Sequence, residues 1–156
     1  MTQQISIELF TGELFPLLEE TFERVNGIYL DKGTSLFETL ETITAAEASR
    51  PVSATCASIA GQVEHVRFYL QVLQEYMQQQ QVGKVDWAAS WYLQTVTPEE
   101  WEALKQRLRA AYDSVVALAK GFDTWDKPDQ LGGALAIVVH TAYHLGEIRQ
   151  ALCTIR

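Results

Sequence analysis

Histidine is scarce in this chain of 156 residues, which contains only three. Cysteine is scarcer still, and the two present, Cys56 and Cys153, do not make a secreted disulfide framework. Basic residues are outnumbered, with 12 Lys and Arg against 20 Asp and Glu, so the net charge is -8 and the cations are scattered. Binding a phosphate backbone needs a concentrated positive surface, which argues against nucleic acid as a partner. An anionic membrane surface is disfavoured for the same reason. Long apolar runs are also missing. A membrane span needs about 20 uncharged apolar residues, and the nearest stretch, Leu131 to Leu145, is shorter and holds two of the histidines. The opening residues, MTQQISIELF, lack the basic start and apolar run of a signal peptide. These absences lead us to expect a cytoplasmic protein with two free thiols. Strand signals are weak, and neither an internal repeat nor a disordered tail is visible.

What remains is a chain of 47% hydrophobic and 21% charged residues, ordinary for a globular protein. Its length suits a single domain, residues 1–156, with one substantial core. Four long helical patterns can be read. The first runs from about Ser6 to Leu30, on a stripe that includes Leu14, Leu18, Phe22, Val25 and Tyr29. Pro16 either kinks it or marks its start after a frayed turn. A connector follows, in which Thr34-Ser35 caps a short helix from Leu36 to Thr42 and Thr44 caps a turn from Ala45 to Ala48.

The second pattern runs from about Ser53 to Gln80, with Cys56, Ile59, Val63, Val66, Leu70, Leu73 and Met77 as its core stripe, and Gln78 to Gln81 as its tail. A second connector, Val82 to Val96, carries Trp87 and Trp91. Thr97-Pro98-Glu99-Glu100 then opens a helix that Gly121 stops. The fourth helix spans about Leu131 to Thr154. The expected fold is all-α, a four-helix bundle. The short link between the last two helices makes them antiparallel neighbours, and the Val82–Val96 connector is long enough to cross over.

Two histidines, His140 and His144, lie four residues apart in the most apolar helix, and His65 lies mid-way along the second. Spacing of four puts two imidazoles on one helix face, and imidazole is the commonest neutral metal ligand. At about 100° per residue, Gly133, Ala136, His144, Glu147 and Ala151 fall within about 40° of His140. The helix is apolar on its remaining faces, which predicts deep burial. The face of His65 holds Ser58, Gly61, Tyr69, Val72 and Tyr76. Small residues beside both histidine faces predict an open volume next to the nitrogens, as a metal with exchangeable positions needs. The plainer reading is that all three are core histidines, hydrogen-bonded to backbone or tyrosine.

The stretch His140-Thr-Ala-Tyr-His144-Leu-Gly-Glu-Ile-Arg-Gln, with Val63-Glu-His65-Val and Gly33-Thr-Ser-Leu-Phe-Glu-Thr-Leu40, resembles the DinB-like family of four-helix bundles. The likeness covers nearly the whole chain. It implies an up-down-down-up bundle with a crossover between the second and third helices. It also implies a divalent metal, usually zinc or nickel, held by His65, His140 and His144. Members include transferases and isomerases that use mycothiol or bacillithiol, and others described as metal-dependent hydrolases. The family's name refers to a DNA-damage-inducible gene and does not imply DNA binding.

The expected function is therefore a divalent-metal enzyme acting on a small-molecule substrate, either a hydrolase or a transferase with a low-molecular-weight thiol as cosubstrate. The competing function is a non-catalytic helical module with a structural metal or none, working by dimerisation through helix faces. Glu147 is the candidate for catalysis as general base, for a further ligand, or for an acceptor of an imidazole N–H; it is otherwise a solvated residue near a helix end. Tyr29 and Glu38 are candidates to line the pocket from the first connector. Trp87 and Trp91 either form an aromatic lid or pack the crossover onto the bundle. Arg67 and Arg149 either receive an anionic substrate or are ordinary solvated or ion-paired side chains. Glu64 is read as surface and Gly146 as a helix-packing position. Cys56 and Cys153, about 13 Å from the metal level along antiparallel helices, are read as structural.

Overall fold

The computed structural model describes residues 5–80 and 82–156. The four opening residues, where no tail or leader is expected, and Gln81 of the glutamine tail lie outside that description. Among the described residues every regular element is helical, as the all-α expectation requires: α1 (Ile7–Phe22), α2 (Leu36–Glu41), α3 (Ala45–Ala48), α4 (Ile59–Met77), a 3-10 turn (Trp87–Trp91), α5 (Pro98–Lys120) and α6 (Pro128–Ile155). Among the described residues no helix is long and apolar enough to cross a membrane.

Side-chain caps set most of the starts. Ser6, Ser58, Thr44 and Thr97 each accept a backbone N–H from the first turn that follows. Thr44 with Glu47 and Thr97 with Glu100 form complete capping boxes, each satisfying two N–H groups that a helix start leaves bare. Glu38, expected toward the pocket, instead caps α2. It accepts the Ser35 N–H at 3.2 Å and the Ser35 hydroxyl at 2.7 Å.

The first helix ends at Phe22, eight residues before the expected Leu30. The cause is Glu20, whose side chain is fully buried. Its carboxylate accepts the backbone N–H groups of Asn26, Ile28, Tyr29 and Leu30 at 2.6 to 3.0 Å. Burial alone would raise its pKa, but these four donors outweigh it and hold the carboxyl at about 2. The chain must therefore curl around Glu20 rather than continue as a helix. Gly27 supplies the left-handed backbone this requires, at φ +84°. Tyr29 stays exposed, and its hydroxyl hydrogen-bonds Thr21 at 2.5 Å.

The second long helix starts at Ile59 rather than Ser53. Ser58 spends its side chain on the Gly61 N–H and gives its own N–H to Gln94 Oε1 at 2.8 Å, so the backbone upstream is not helical. Cys56 consequently falls outside the core stripe and is exposed, as is Cys153. Neither thiol is structural.

A contiguous apolar cluster draws on α1 (Leu14, Leu18, Phe22), α2 (Leu36, Leu40), α4 (Ile59, Val63, Leu70), α5 (Trp101, Leu104, Leu108) and α6 (Ile137, Leu145, Ile148). Helix α4 packs along both α5 and α6, and α1 packs along α6. Trp101 is buried and donates its indole N–H to the Ile43 carbonyl at 2.8 Å, fastening α5 to the segment after α2. Tyr112 stacks on Phe22 with ring centroids 4.5 Å apart.

Helix α6 begins at Pro128, three residues earlier than expected, with proline in the first turn where its missing N–H costs nothing. It is not buried all round. Leu131, Leu135, Val139 and Tyr143 form an exposed stripe, the last two 68% and 63% accessible. The predicted all-round burial fails because spacing of four collects these residues along one side that stays exposed.

Candidate metal centre

His65 comes from the middle of α4, where the helix is flanked by α6 and by the 3-10 turn. His140 and His144 come from successive turns of α6. The packing of α4 on α6 brings the three rings together, with centroids 5.0 Å apart for His65–His140, 4.9 Å for His65–His144 and 4.4 Å for His140–His144. One ring nitrogen from each lies within 4.8 Å of the others, an arrangement able to hold a metal ion. Tetrahedral ligation at 2.0–2.1 Å places nitrogens roughly 3.3 Å apart, so ligation closes the cluster by roughly 1.5 Å at most.

The hydrogen-bond partners favour particular tautomers. Ser90 Oγ lies 2.7 Å from the Trp87 carbonyl and 2.7 Å from His65 Nδ1. Because the carbonyl can only accept, both contacts are hydrogen bonds when the His65 proton is on Nδ1, which leaves the Nε2 lone pair free. His144 Nδ1 faces two acceptors, Gln62 Oε1 at 2.5 Å and Glu147 Oε2 at 2.9 Å, and so it also carries the proton there. His140 Nε2 is buried and has no hydrogen-bond partner among the described residues. Leaving such an atom unpaired costs about 1–3 kcal/mol, and ligation would satisfy it. Three neutral imidazoles are thus a donor set able to hold a metal ion.

Electrostatics keep the rings neutral. Burial pushes His140 down to about 3, and the neighbouring His144 and His65 push the same way. Burial pushes His65 down to about 4, aided by His144 and opposed by the Glu147 charge. His144 is lowered by burial as well, while the Glu147 carboxylate beside it acts in the opposite direction. Protons thus do not compete with a metal at neutral pH.

Aromatic rings wall the cluster. Tyr69 stacks on His140 with centroids 3.6 Å apart, and Trp91 stacks on His65 at 3.9 Å. Trp87 meets Phe68 edge-on and lies beside Tyr69. The Val82–Val96 connector thus packs onto α4, and through Trp91 and Ser90 it also forms part of the centre. Gln94 fixes it there, bonding the Ser58 N–H and donating to the Trp91 carbonyl at 2.6 Å.

The small residues do not leave the predicted open volume. A Cβ on Gly61 would meet Gln94 Nε2 at 2.8 Å and the Leu93 carbonyl at 3.0 Å, and one on Gly133 would meet Met77 Cγ at 2.7 Å. Both glycines are sites of close packing, by the connector and by α4 respectively. A cleft of about 450 Å³ is lined instead by Gln62 and Glu147, the two partners of His144 Nδ1, together with Tyr143, with Cys56 on its wall.

Other candidates fall away from the cluster. Arg67 is bound to Glu64 at 2.7 and 2.8 Å, the ion-paired alternative, but each side chain is only 18% accessible, so Glu64 is not the surface residue expected. Tyr29 and Arg149 line a separate cleft between the first connector and α6. The sequence reading missed Ser90 and Gln62. Gln62 precedes His65 by three positions, a spacing that marks it as a helical neighbour. Ser90 has no such signal, since a serine in a long connector cannot be placed by periodicity. Comparison with protein families, curated proteins and solved structures finds no match.

Proposed function

We propose that this chain is a divalent-metal protein of the DinB-like kind, with zinc or nickel at His65, His140 and His144 and an enzymatic role as a hydrolase or a low-molecular-weight-thiol transferase. The observation that carries the proposal is the buried His140 Nε2, unpartnered among the described residues, beside two imidazoles whose Nδ1 atoms already face hydrogen-bond partners. In this reading α1, α4, α5 and α6 form an up-down-down-up four-helix bundle with the Val82–Val96 connector as its crossover. The contacts of α4 with α5 and α6, and of α1 with α6, support it.

A bound ion with three neutral ligands would supply Lewis acidity, favouring deprotonation of a water or a substrate thiol near neutral pH. The protein's own groups do the rest. Glu147 accepts the His144 Nδ1 proton, orients the ring and makes it a stronger donor. It is also the residue best placed to take a proton at the His144 side, next to Tyr143, whose phenol it raises by hydrogen bonding and charge. Tyr69 and Trp91 fix the planes of His140 and His65. The cleft beside Gln62 and Glu147 is the proposed place for a small-molecule substrate.

The filling of the space at Gly61 and Gly133 favours one competing reading, a metal that staples the helices without catalysis. Cobalt(II) substitution with thiol titration separates the two. A working centre keeps an exchangeable position, so added thiol shifts the visible absorption of the cobalt protein. A closed staple gives a spectrum indifferent to thiol and a melting temperature that collapses on chelation.

A further inference from the structure

We infer that Ser90 is a positioning residue of the metal centre, holding His65 as its Nδ1–H tautomer so that Nε2 is presented to the ion, and thereby making the connector a working part of the site. The inference rests on the three-histidine reading and adds a residue from a different segment to it. Ser90 is nearly fully buried, in the 3-10 turn. Its hydroxyl lies 2.7 Å from both the Trp87 carbonyl and His65 Nδ1. A carbonyl can only accept, so the arrangement that satisfies all three groups has Ser90 donating to Trp87 and accepting from an Nδ1–H of His65.

The turn is itself anchored. Asp86 Oδ1 accepts the N–H groups of Ala88 and Ala89 at 3.1 and 3.3 Å, Gln94 ties the following residues to the start of α4, and Trp91 covers the His65 face. The absence of a side chain at Gly61 lets the connector come this close. Among the described residues His65 has no acidic partner within hydrogen-bonding distance comparable to the Glu147 that serves His144. The serine is the group that sets its proton.

Outer partners of ligating histidines are worth about 10- to 100-fold in metal affinity. The test reads imidazole tautomers in the metal-free protein by long-range proton–nitrogen NMR, and zinc affinity by competition with a chromophoric chelator, in wild type and Ser90→Ala. The inference expects Nδ1–H at His65 in wild type. In the variant it expects growth of the Nε2–H form at His65 alone, with zinc binding about 10- to 100-fold weaker. An Nε2–H His65 in wild type overturns it without any variant. So does a folded Ser90→Ala protein that keeps Nδ1–H at His65 and binds zinc within about twofold of wild type. A wild type that binds no zinc counts against the metal reading itself, and the tautomer comparison then decides the role of Ser90 independently.

Discussion

Gly61→Ala is the perturbation that reports most sharply on how the connector docks. In an unobstructed helix, replacing glycine by alanine stabilises by up to about 1 kcal/mol. At Gly61 the new methyl would sit 2.8 Å from Gln94 Nε2 and 3.0 Å from the Leu93 carbonyl. The amide can move only by giving up its bonds to the Ser58 N–H and the Trp91 carbonyl, each worth about 0.5–1.5 kcal/mol. The carbonyl is backbone and can retreat only with the connector. Overpacking of this kind costs about 1–3 kcal/mol, so the net expectation is destabilisation by about 2 kcal/mol. For a chain of this size that lowers the melting temperature by about 4–8 °C. The control is Gly132→Ala, which meets nothing within 4 Å on exposed α6 and should stabilise by a few tenths to about 1 kcal/mol. Thermal and urea melts of both variants give the comparison. A Gly61→Ala protein at least as stable as wild type would refute the close approach and, with it, the docking of Ser90 and Trp91.

Three further outcomes follow from the same contacts. Trp101→Phe leaves the Ile43 carbonyl without its 2.8 Å donor and should lose about 1–3 kcal/mol from that orphaned group alone; a urea-melt loss under about 0.5 kcal/mol would contradict it. In metal-free protein, His65 and His140 have folded values of about 4 and about 3, below the ordinary 6.5. The unfolded chain then binds more protons in that interval, so their contribution to stability is complete above pH 6.5 and is lost as pH falls toward 4 and 3. The slope is at most about 1.4 kcal/mol per pH unit for each ring, read as the difference between wild type and His140→Gln; a pH-independent difference would sink it. Glu147→Gln keeps an acceptor for His144 but removes the charge, so zinc affinity should drop by about tenfold while the fold is retained, and unchanged affinity would remove Glu147 from the centre.

Much of this was legible in the sequence, for identifiable reasons. The start of α5 is written in Thr97-Pro98-Glu99-Glu100, because capping chemistry is local. The histidine triad is legible because spacing of four puts His140 and His144 on one helix face, and three histidines leave little ambiguity. What escaped depends on contacts far apart in the chain. Nothing local marks Glu20 as the acceptor for four backbone donors that follow it, so α1 was read through to Leu30. Glycine and alanine beside the histidines were read as space, yet small residues equally mark where another segment comes close, as Gln94 and Met77 do. The apolar character of α6 was read as burial, although Val139 and Tyr143 face outward.

The central claim is that three histidines form a metal centre. Elemental analysis of the purified wild-type protein beside His140→Ala, after equal exposure to zinc and nickel and removal of loosely held ions, tests it most directly. Helix integrity of the variant is checked by circular dichroism. A single divalent ion per wild-type chain, absent from the folded variant, is the expected result. Equal metal content in the two proteins, or a wild type that retains none, would contradict the account.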